Sequence, residues 1–427
     1  MFSKMKSIWN MKELRDKLLF TVMILLLFRF GCAMPVPFVS GTALEAMFNN
    51  GSMLTYFNMI SGGALSQCAV FALGVSPYIN ASIIMQLLCV AIPKLEQLNK
   101  DSEGRKQVEN YTRICGLVMA VAMSVGYYFI LRNYGALKYM NGAGAVFAAF
   151  VIISVFVAGS QLAVWMGGQI DAHGVGNGVS LLIFAGIVSR WSDVYTICAT
   201  AWSRVQAGAW WYFLVALGVF AFLLASIWYV VYVSGSERRI PVVYSAKKGR
   251  SRNVNSYIPL KLVMSGVMPV IFASTMLSIP ATIAMFIDAE KHPGLHGALA
   301  GFTASNSVVY LLLYVALIFC FNYFYIAIQY DPVTMANNLR NRGGAIRGIR
   351  PGKPTSDLIS RGMKQVALTG SVALSLIACA PIFMGQVTGM AVQMGGTSLL
   401  IVVSVVTELM ASVDSYLTVR HHHGFLA

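Results

Sequence analysis

The chain has 427 residues, of which 57% are hydrophobic and 11% are charged. Because charged residues make up about a quarter of an ordinary soluble domain, this composition excludes a soluble globular protein and indicates a polytopic membrane protein. The formal net charge of +15 suits anionic partners but does not discriminate between them.

A membrane-spanning helix needs about 20 mostly apolar residues, and ten stretches of the chain show this pattern. The fifth stretch is short. The first follows a basic N-terminus without a cleavage site, so we interpret it as a span rather than a signal peptide. The ten predicted spans lie near 18–34, 76–92, 112–132, 145–167, 178–190, 209–233, 261–283, 306–328, 364–385 and 396–417.

Lys and Arg concentrate in four segments between or before the spans, at 1–17, 93–113, 234–261 and 329–364. The positive-inside rule assigns such segments to the cytoplasmic side. Both termini are then cytoplasmic, which fits an even number of spans. One further cation, Arg29, lies within the first span, where we expect a structural role.

A nine-residue pattern occurs twice. Gly-Val-Ser-Pro-Tyr-Ile-Asn-Ala-Ser at 74–82 returns at 266–274 as Gly-Val-Met-Pro-Val-Ile-Phe-Ala-Ser, with six of the nine positions identical. The charge distribution directs the first of these spans inward and the second outward. This is the pattern of an inverted-topology repeat, in which a path or binding site lies between two halves. We predict an N-terminal half at 1–190 with spans one to five and a C-terminal half at 191–427 with spans six to ten.

The segment at 54–75 is apolar but is interrupted by Gly62 and Gly63 and followed by Pro77. A full span here would reverse the charge topology. Broken backbone at membrane depth is tolerated only inside protein or along a cavity. The sequence therefore leaves two interpretations open: a short re-entrant helix at about 64–73, or an amphipathic helix on the outer membrane surface.

Six short motifs are spread in order along the chain. They are Gly62-Gly63-Ala64-Leu65-Ser66, Pro77-Tyr78-Ile79, Gly174-Val175-Gly176-Asn177-Gly178-Val179-Ser180, Phe184-Ala185-Gly186-Ile187-Val188, Gly348-Ile349-Arg350-Pro351-Gly352 and Gly395-Gly396-Thr397-Ser398-Leu399-Leu400-Ile401. Together they resemble the motifs of the SecY family, the channel subunits of the bacterial Sec protein translocon. The resemblance implies an all-α fold with ten transmembrane helices in two inverted, pseudo-symmetric halves of five and a re-entrant plug helix.

The resemblance implies an hourglass pore whose waist is closed by aliphatic side chains. Such a ring excludes water and ions by dewetting. Ile79 and Ile271 occupy the same place in the two repeat copies, which agrees with a ring between the halves. The alternative for any one of these residues is contact with lipid or protein core. The implied ring consists of Val75, Ile79, Val179, Ile183, Ile271 and Ile401.

The resemblance also implies a plug beneath the ring and a lateral gate between spans two and seven. Polar gate residues are expected to bond weakly across the gate, since hydrogen bonds in membranes average about 0.6 kcal/mol. The alternative is that Ser and Thr bond to their own helix backbone. The implied plug residues are Ala64, Leu65, Ser66, Gln67, Cys68, Ala69, Val70 and Phe71, and the implied gate residues are Asn80, Ile83, Ser274, Thr275 and Ile279.

The cytoplasmic loops at 234–261 and 329–364 are the second implied functional region. Orientation and attraction to anionic lipid explain part of their charge. Turn punctuation within them favours ordered loops that bind an anionic partner, and RNA phosphate is one such partner. By resemblance they dock the SecA motor and the ribosome. The docking candidates are Arg238, Arg239, Lys247, Lys248, Arg250, Arg340, Arg342, Arg347 and Arg350.

The sequence therefore predicts a protein-conducting channel in the bacterial cytoplasmic membrane rather than an enzyme. We expect no catalytic residue, no cofactor and no metal. The implied partners are SecE, SecG, SecA, the ribosome with its RNA, anionic lipid, signal sequences and nascent polypeptides. The alternative is a secondary transporter built on an inverted repeat, which normally needs ionisable residues at the membrane midplane.

Overall fold

The computed structural model describes residues 11–39, 63–133, 135–139, 142–189, 206, 211–244, 256–286, 308–388 and 396–423, and these are mainly helical. The helices are α1 (Lys12–Ala33), α2 (Ser76–Ala91), α3 (Pro93–Lys100), α4 (Ser102–Asn133), α5 (Ala143–His173), α6 (Gly178–Ser189), α7 (Trp211–Gly235), α8 (Met268–Phe286), α9 (Val308–Gln329), α10 (Pro332–Asn341), α11 (Lys353–Thr388) and α12 (Gly396–His423). The strands are β1 (Glu237–Tyr244), β2 (Ser256–Lys261) and β3 (Gly344–Ile346).

Ten of these helices, all except α3 and α10, coincide with the ten predicted spans. Within the described residues, α4, α5, α7, α9, α11 and α12 contain spans that are long and apolar enough to cross a membrane by themselves. The pair α2 and α3 is a seventh candidate, bent by 110° at the break between the two helices. Pro93 begins α3, and proline at that position cannot continue the preceding helix. The helix α6 has 12 residues, as its short apolar run predicts.

The chain divides into two compact units. The first contains Met1–Ala199 and Val405–Ala427, and the second contains Thr200–Ser404. In the first unit α4 packs against α2 and α5, and α1 packs against α5 and α6. In the second unit α9 packs against α8 and α11, and α11 also contacts α7 and α10. The predicted halves at 1–190 and 191–427 rest on charge rather than on packing and stay a prediction.

A three-stranded antiparallel sheet in the order β2-β1-β3 joins the two basic loops of the second unit. Ile240 of β1 pairs with Ile258 of β2, and Val242 of β1 pairs with Ile346 of β3. The sequence predicts ordered loops in an all-helical fold, and the structure adds this sheet to it. The sheet forms because side chains alternate along β1: Ile240 and Val242 are buried, whereas Arg239 is exposed.

The buried face of the sheet packs on α11. Ile240, Leu260 and Ile346 belong to one hydrophobic cluster with Ile359 and Met363 of that helix. Burial of a large aliphatic side chain contributes about 1.5–3 kcal/mol, so five such residues hold the sheet firmly against the helix. The two basic loops are therefore parts of one packed structure.

A buried amide fixes the chain where it enters α8. Asn322 of α9 is 1% exposed. Its Oδ1 accepts a hydrogen bond from Ser265 Oγ, and its Nδ2 donates to the Ala367 carbonyl at 2.9 Å and to Ser371 Oγ at 2.7 Å. Because an unpaired buried amide is costly, this network ties the residue before the second repeat copy to α9 and α11.

Candidate functional site

The two repeat copies have the same local backbone. Each copy opens with a glycine in the left-handed region, where φ is +51° at Gly74 and +61° at Gly266. The following helices, α2 and α8, both begin at the third residue of their copy. L-residues with a side chain rarely adopt such φ values, so glycine is needed at this sharp entry into each helix. The sequence repeat is therefore also a structural repeat.

The first turn of each of these helices contains an implied ring residue. The amide of Ile79 donates to the Val75 carbonyl at 3.1 Å, and the amide of Ile271 donates to the Val267 carbonyl at 3.2 Å. Ile79 and Ile271 therefore occupy equivalent positions at the start of α2 and α8. Each is half-buried.

The other implied ring residues lie at or near helix starts as well. Val179 and Ile183 are in the first two turns of α6, one helical turn apart, and Ile401 is in the second turn of α12. Val75, Ile183 and Ile401 are buried, and Val179 is half-buried. None of the six shows the high exposure of aliphatic residues on lipid-facing surfaces, such as Val146 at 71%. Their arrangement as a ring stays a prediction.

A polar turn positions α6 and was not recognised as such in the sequence. Asp171 Oδ1 accepts a hydrogen bond at 2.7 Å from the first amide of α6, and Asn177 Oδ1 accepts one at 3.1 Å from the amide of Ser180. Thr21 Oγ1 of α1 accepts from the amide of Val175 at 3.2 Å. These bonds satisfy orphan donors at a helix N-terminus, so Asp171 and Asn177 have a capping role.

The implied plug segment is a run of turns at 63–75 rather than a regular helix. Three residues of this segment have positive φ: +85° at Gly63, +44° at Cys68 and +51° at Gly74. An α-helix requires negative φ at every residue, so the backbone reverses locally at these points. Its amides bond three to five residues back, as from Cys68 to the Leu65 carbonyl at 3.1 Å.

The turns at 63–75 are packed inside the first unit. Ala64, Leu65, Cys68, Ala69 and Phe71 are each at most 3% exposed. Ser66 and Val70 are half-buried, and Gln67 is exposed. This burial favours the interior position over a helix on the outer membrane surface.

Two neighbours hold the segment closely. The ring of Phe71 stacks on Phe28 of α1 with centroids 5.3 Å apart. On the α5 side, a Cβ added at Gly159 would lie 2.0 Å from the Val70 carbonyl oxygen. Only glycine permits such a close approach of helix and segment, so Gly159 forms part of the seat for these turns.

The implied gate residues have local partners in the structure. Asn80 Nδ2 lies 3.9 Å from Met123 Sδ of α4. Ser274 Oγ and Thr275 Oγ1 each donate to the Ile271 carbonyl of their own helix at 2.8 Å. Ile83 is buried at 5% exposure. The side chain of Ile279 lies outside the described part of the chain, and the contact of spans two and seven stays a prediction.

The docking candidates that the structure describes lie on and beside the sheet. They are all exposed, and among the described residues Arg340, Arg342, Arg347 and Arg350 make no ion pair. Unpaired cations of this kind keep their charge available to an anionic partner. Lys247, Lys248 and Arg250 lie outside the described residues.

The two arginines of β1 are held by neighbours. The Arg238 guanidinium donates to Gln365 Oε1 of α11. Arg239 Nε donates to Glu237 Oε1 at 2.7 Å, and its guanidinium carbon lies 4.7 Å from the centre of the Tyr257 ring. The hydrogen bond that Arg239 donates to Glu237 raises the pKa of Arg239 above its ordinary value. Arg239 is therefore oriented on the exposed face of the sheet.

Arg350 lies in an ordered turn between β3 and α11. The turn is flanked by Gly348 with φ +81° and Gly352 with φ +115°. Thr355 Oγ1 donates to the Arg350 carbonyl at 2.9 Å, while the Arg350 side chain is exposed. The backbone is thus fixed by its own turn, and the guanidinium is presented to solvent.

The described residues contain no group of three or more His, Cys, Asp or Glu that is placed to hold a metal ion.

Comparison with known proteins identifies a single family. The SecY family model matches residues 69–410. The chain is 37% identical over 439 residues to "Protein translocase subunit SecY" of Bacillus subtilis (strain 168), with 100% of both chains covered.

Two solved structures have a similar fold. One is described as "The structure of a protein conducting channel", with TM-score 0.65 and 19% identity over 94% of this chain and 92% of that chain. The other is described as "Sec61 in the Canine ribosome-channel complex from the endoplasmic reticulum", with TM-score 0.62 and 18% identity over the same shares. Because the family model spans most of the chain and the Bacillus relative aligns over its whole length, this chain belongs to the SecY family.

Proposed function

We propose that this chain is the channel subunit of a bacterial protein translocon. It conducts unfolded secretory polypeptides across the cytoplasmic membrane and releases membrane-protein helices into lipid. The observation that carries this proposal is the buried run of turns at 63–75, which leads into the first repeat copy in a chain of the SecY family. An interior segment without regular structure suits a plug that leaves its seat when the channel opens.

The resting channel is closed at its waist by the six aliphatic ring residues. Aliphatic walls at a narrow constriction exclude water, and ions do not pass without water. The same side chains have no directional bonding requirement, so they fit around any side chain of a passing polypeptide. The protein performs no bond chemistry and is not an enzyme.

The lateral gate opens between spans two and seven. Asn80, Ser274 and Thr275 already have partners on their own half, since Asn80 contacts Met123 and the two hydroxyls bond to their own helix. Hydrogen bonds between membrane helices average only about 0.6 kcal/mol, so each polar bond that breaks when an apolar signal sequence enters costs little. The cost of opening is therefore small enough to be offset by the entering helix.

The sheet and the turn at Arg350 form the docking surface for cytoplasmic partners. Energy comes from such a partner, either SecA, which hydrolyses ATP, or the ribosome. The fold shared with a channel described in a ribosome complex supports the ribosome as a partner. Exposed arginines suit ribosomal RNA phosphate as well as anionic lipid. SecE and SecG are the proposed small subunits in the bacterial inner membrane, with both termini of this chain cytoplasmic.

The gate is tested by a disulfide between spans two and seven. Asn80→Cys combined with Thr275→Cys, in a background with the seven native cysteines replaced, should crosslink on mild oxidation because both residues face the gate. The crosslink should stop export, and reduction should restore it. Gel mobility after oxidation and export into vesicles before and after reduction are the two measurements.

The matched control is Gln86→Cys with Thr275→Cys. Gln86 lies about 120° around α2 from Asn80 and about 9 Å further along it, since six residues correspond to about 600° of helix rotation. This pair should neither crosslink nor block export. A folded Asn80 and Thr275 double variant that gives no crosslink in the resting channel would show that spans two and seven do not meet.

A further inference from the structure

A tyrosine of α4 is bonded to the turns at 63–75. Tyr127 is 4% exposed. Its hydroxyl donates to the Leu65 carbonyl at 2.7 Å and lies 3.3 Å from Cys68 Sγ. Its ring packs on Phe156 of α5, with centroids 5.4 Å apart. A single side chain from a spanning helix therefore contacts the segment at two points, three residues apart.

The hydrogen-bond directions follow from the number of protons. A phenol has one O–H proton, and in Tyr127 it is directed to the Leu65 carbonyl. The contact with Cys68 must then use the thiol as donor and the phenol oxygen as acceptor. The result is a chain of two hydrogen bonds, from the Cys68 thiol to the Tyr127 phenol and from the phenol to the Leu65 carbonyl. Because the site is buried, water does not replace either bond when it breaks.

The backbone between these two contacts is strained. Cys68 has φ +44°, in a region that non-glycine residues rarely adopt. Such conformations persist only where surrounding contacts hold them. The strain would be relieved if the segment left its seat, so the strain favours release. The contacts at Leu65 and Cys68 oppose that release.

Backbone hydrogen bonds also join the segment to the chain that follows α1. The amide of Val36 donates to the Cys68 carbonyl at 2.8 Å, and the amide of Val70 donates to the Met34 carbonyl at 3.0 Å. Both partners lie in the chain that follows α1. The hydroxyl of Tyr127 thus provides a tie to α4 that these backbone bonds do not replace.

We infer that the Tyr127 hydroxyl is a latch that holds the segment at 63–75 in the closed position, acting through the Leu65 carbonyl and the Cys68 thiol. The inference rests on the proposed function, since it assumes that this segment is the plug. Tyr127 is a positioning residue: it sets the fraction of resting channels whose plug is displaced. Weakening the latch should raise that fraction while the identities of the six waist residues stay the same.

The chain carries its own reporter for this equilibrium. Cys68 is 1% exposed while the segment is seated, and a water-soluble maleimide can reach it only after displacement. When opening and closing are fast relative to labelling, the labelling rate follows the population of the open form. Loss of one buried hydrogen bond corresponds to about a three- to tenfold change in such a population.

The test compares Cys68 labelling in Tyr127→Phe and Tyr111→Phe, using the full chain in its complex in vesicles. Phe keeps the ring and its contact with Phe156 and removes only the hydroxyl. Tyr111 is on the same helix but is 48% exposed, so its variant is the matched control. Labelling is quantified by mass spectrometry of the peptide that contains Cys68, with and without a client stalled in the channel.

In the resting channel we expect labelling about three- to tenfold faster for Tyr127→Phe than for the native chain, and a native rate for Tyr111→Phe. Equal rates for the two folded variants would overturn the latch. A stalled client should accelerate labelling in the native chain. If it does not, the plug assignment itself fails. The two failures are distinguished because the first is measured in the resting channel and the second with a stalled client.

Discussion

Arg350→Glu is expected to lower SecA-driven export by about tenfold or more while the chain remains folded and inserted. The side chain is exposed in a turn whose backbone is fixed by glycines and by Thr355, so its replacement removes no core packing. Charge reversal replaces an attraction by a repulsion, and like charges at an interface cost several kcal/mol. The measurement is the SecA ATPase rate stimulated by the reconstituted channel and a client, together with the amount of chain in the membrane.

The matched control is Arg361→Glu, which makes the same charge change at another exposed arginine of the same unit. Arg361→Glu should lower export much less, because we attribute the effect at position 350 to a local contact and not to the net charge of the chain. Arg350→Lys separates two kinds of contact: a simple charge tolerates Lys, whereas a bidentate contact does not. Normal stimulation and export with Glu at 350 would remove this residue from the docking surface.

Replacing Ile79, Ile183 or Ile401 by Asn is expected to raise the resting ion conductance by about tenfold. An amide at the waist binds water, and dewetting requires apolar walls. If the closed state loses about 1.4 kcal/mol relative to the open state, the ratio of open to closed channels rises about tenfold. The variants should therefore also pass clients with defective signal sequences. Conductance across planar bilayers is the measurement.

The controls are Leu at the same three positions, since Leu keeps the wall apolar and should leave the conductance near the native value. Comparison with Leu separates loss of apolar character from a simple change of shape. If all three Asn variants conduct like the native channel, these residues do not line the waist.

The helices were predictable because membrane spans are long and uniformly apolar, and each predicted stretch contains a helix. Their ends were less predictable. The helix α11 begins at Lys353, eleven residues before the apolar run at 364, because its N-terminal part packs against the sheet. Hydropathy reports only the part of a helix that lies in the membrane.

The sheet has only a weak signal in the sequence. Ile240 and Val242 alternate with polar or exposed residues, and so do Ile258 and Leu260. Pro241 and Pro259 within these runs argue against strands, since proline removes a backbone donor. The pairing of β1 with β3 joins residues about a hundred positions apart in sequence, and no local pattern reports it.

For the candidate site, the sequence left open a re-entrant helix at about 64–73 or a helix on the membrane surface, and the structure shows buried turns instead of either helix. Gly63 and Gly74 indicate breaks, whereas the positive φ of Cys68 depends on tertiary contacts. The bond from Tyr127 to Leu65 connects residues 62 positions apart. A tyrosine in an apolar span looks the same in sequence whether it faces lipid or a carbonyl, so only the structure identifies this contact.

The central claim, that this chain conducts polypeptides, is tested most directly by reconstitution. The chain with its small subunits in vesicles, supplied with SecA, ATP and an unfolded secretory client, should render the client resistant to external protease. Omission of ATP or locking of the gate by the Asn80→Cys and Thr275→Cys disulfide should abolish that protection. Absence of protected client in vesicles that contain the folded complex, with saturable uptake of a small solute instead, would contradict the account and identify a transporter.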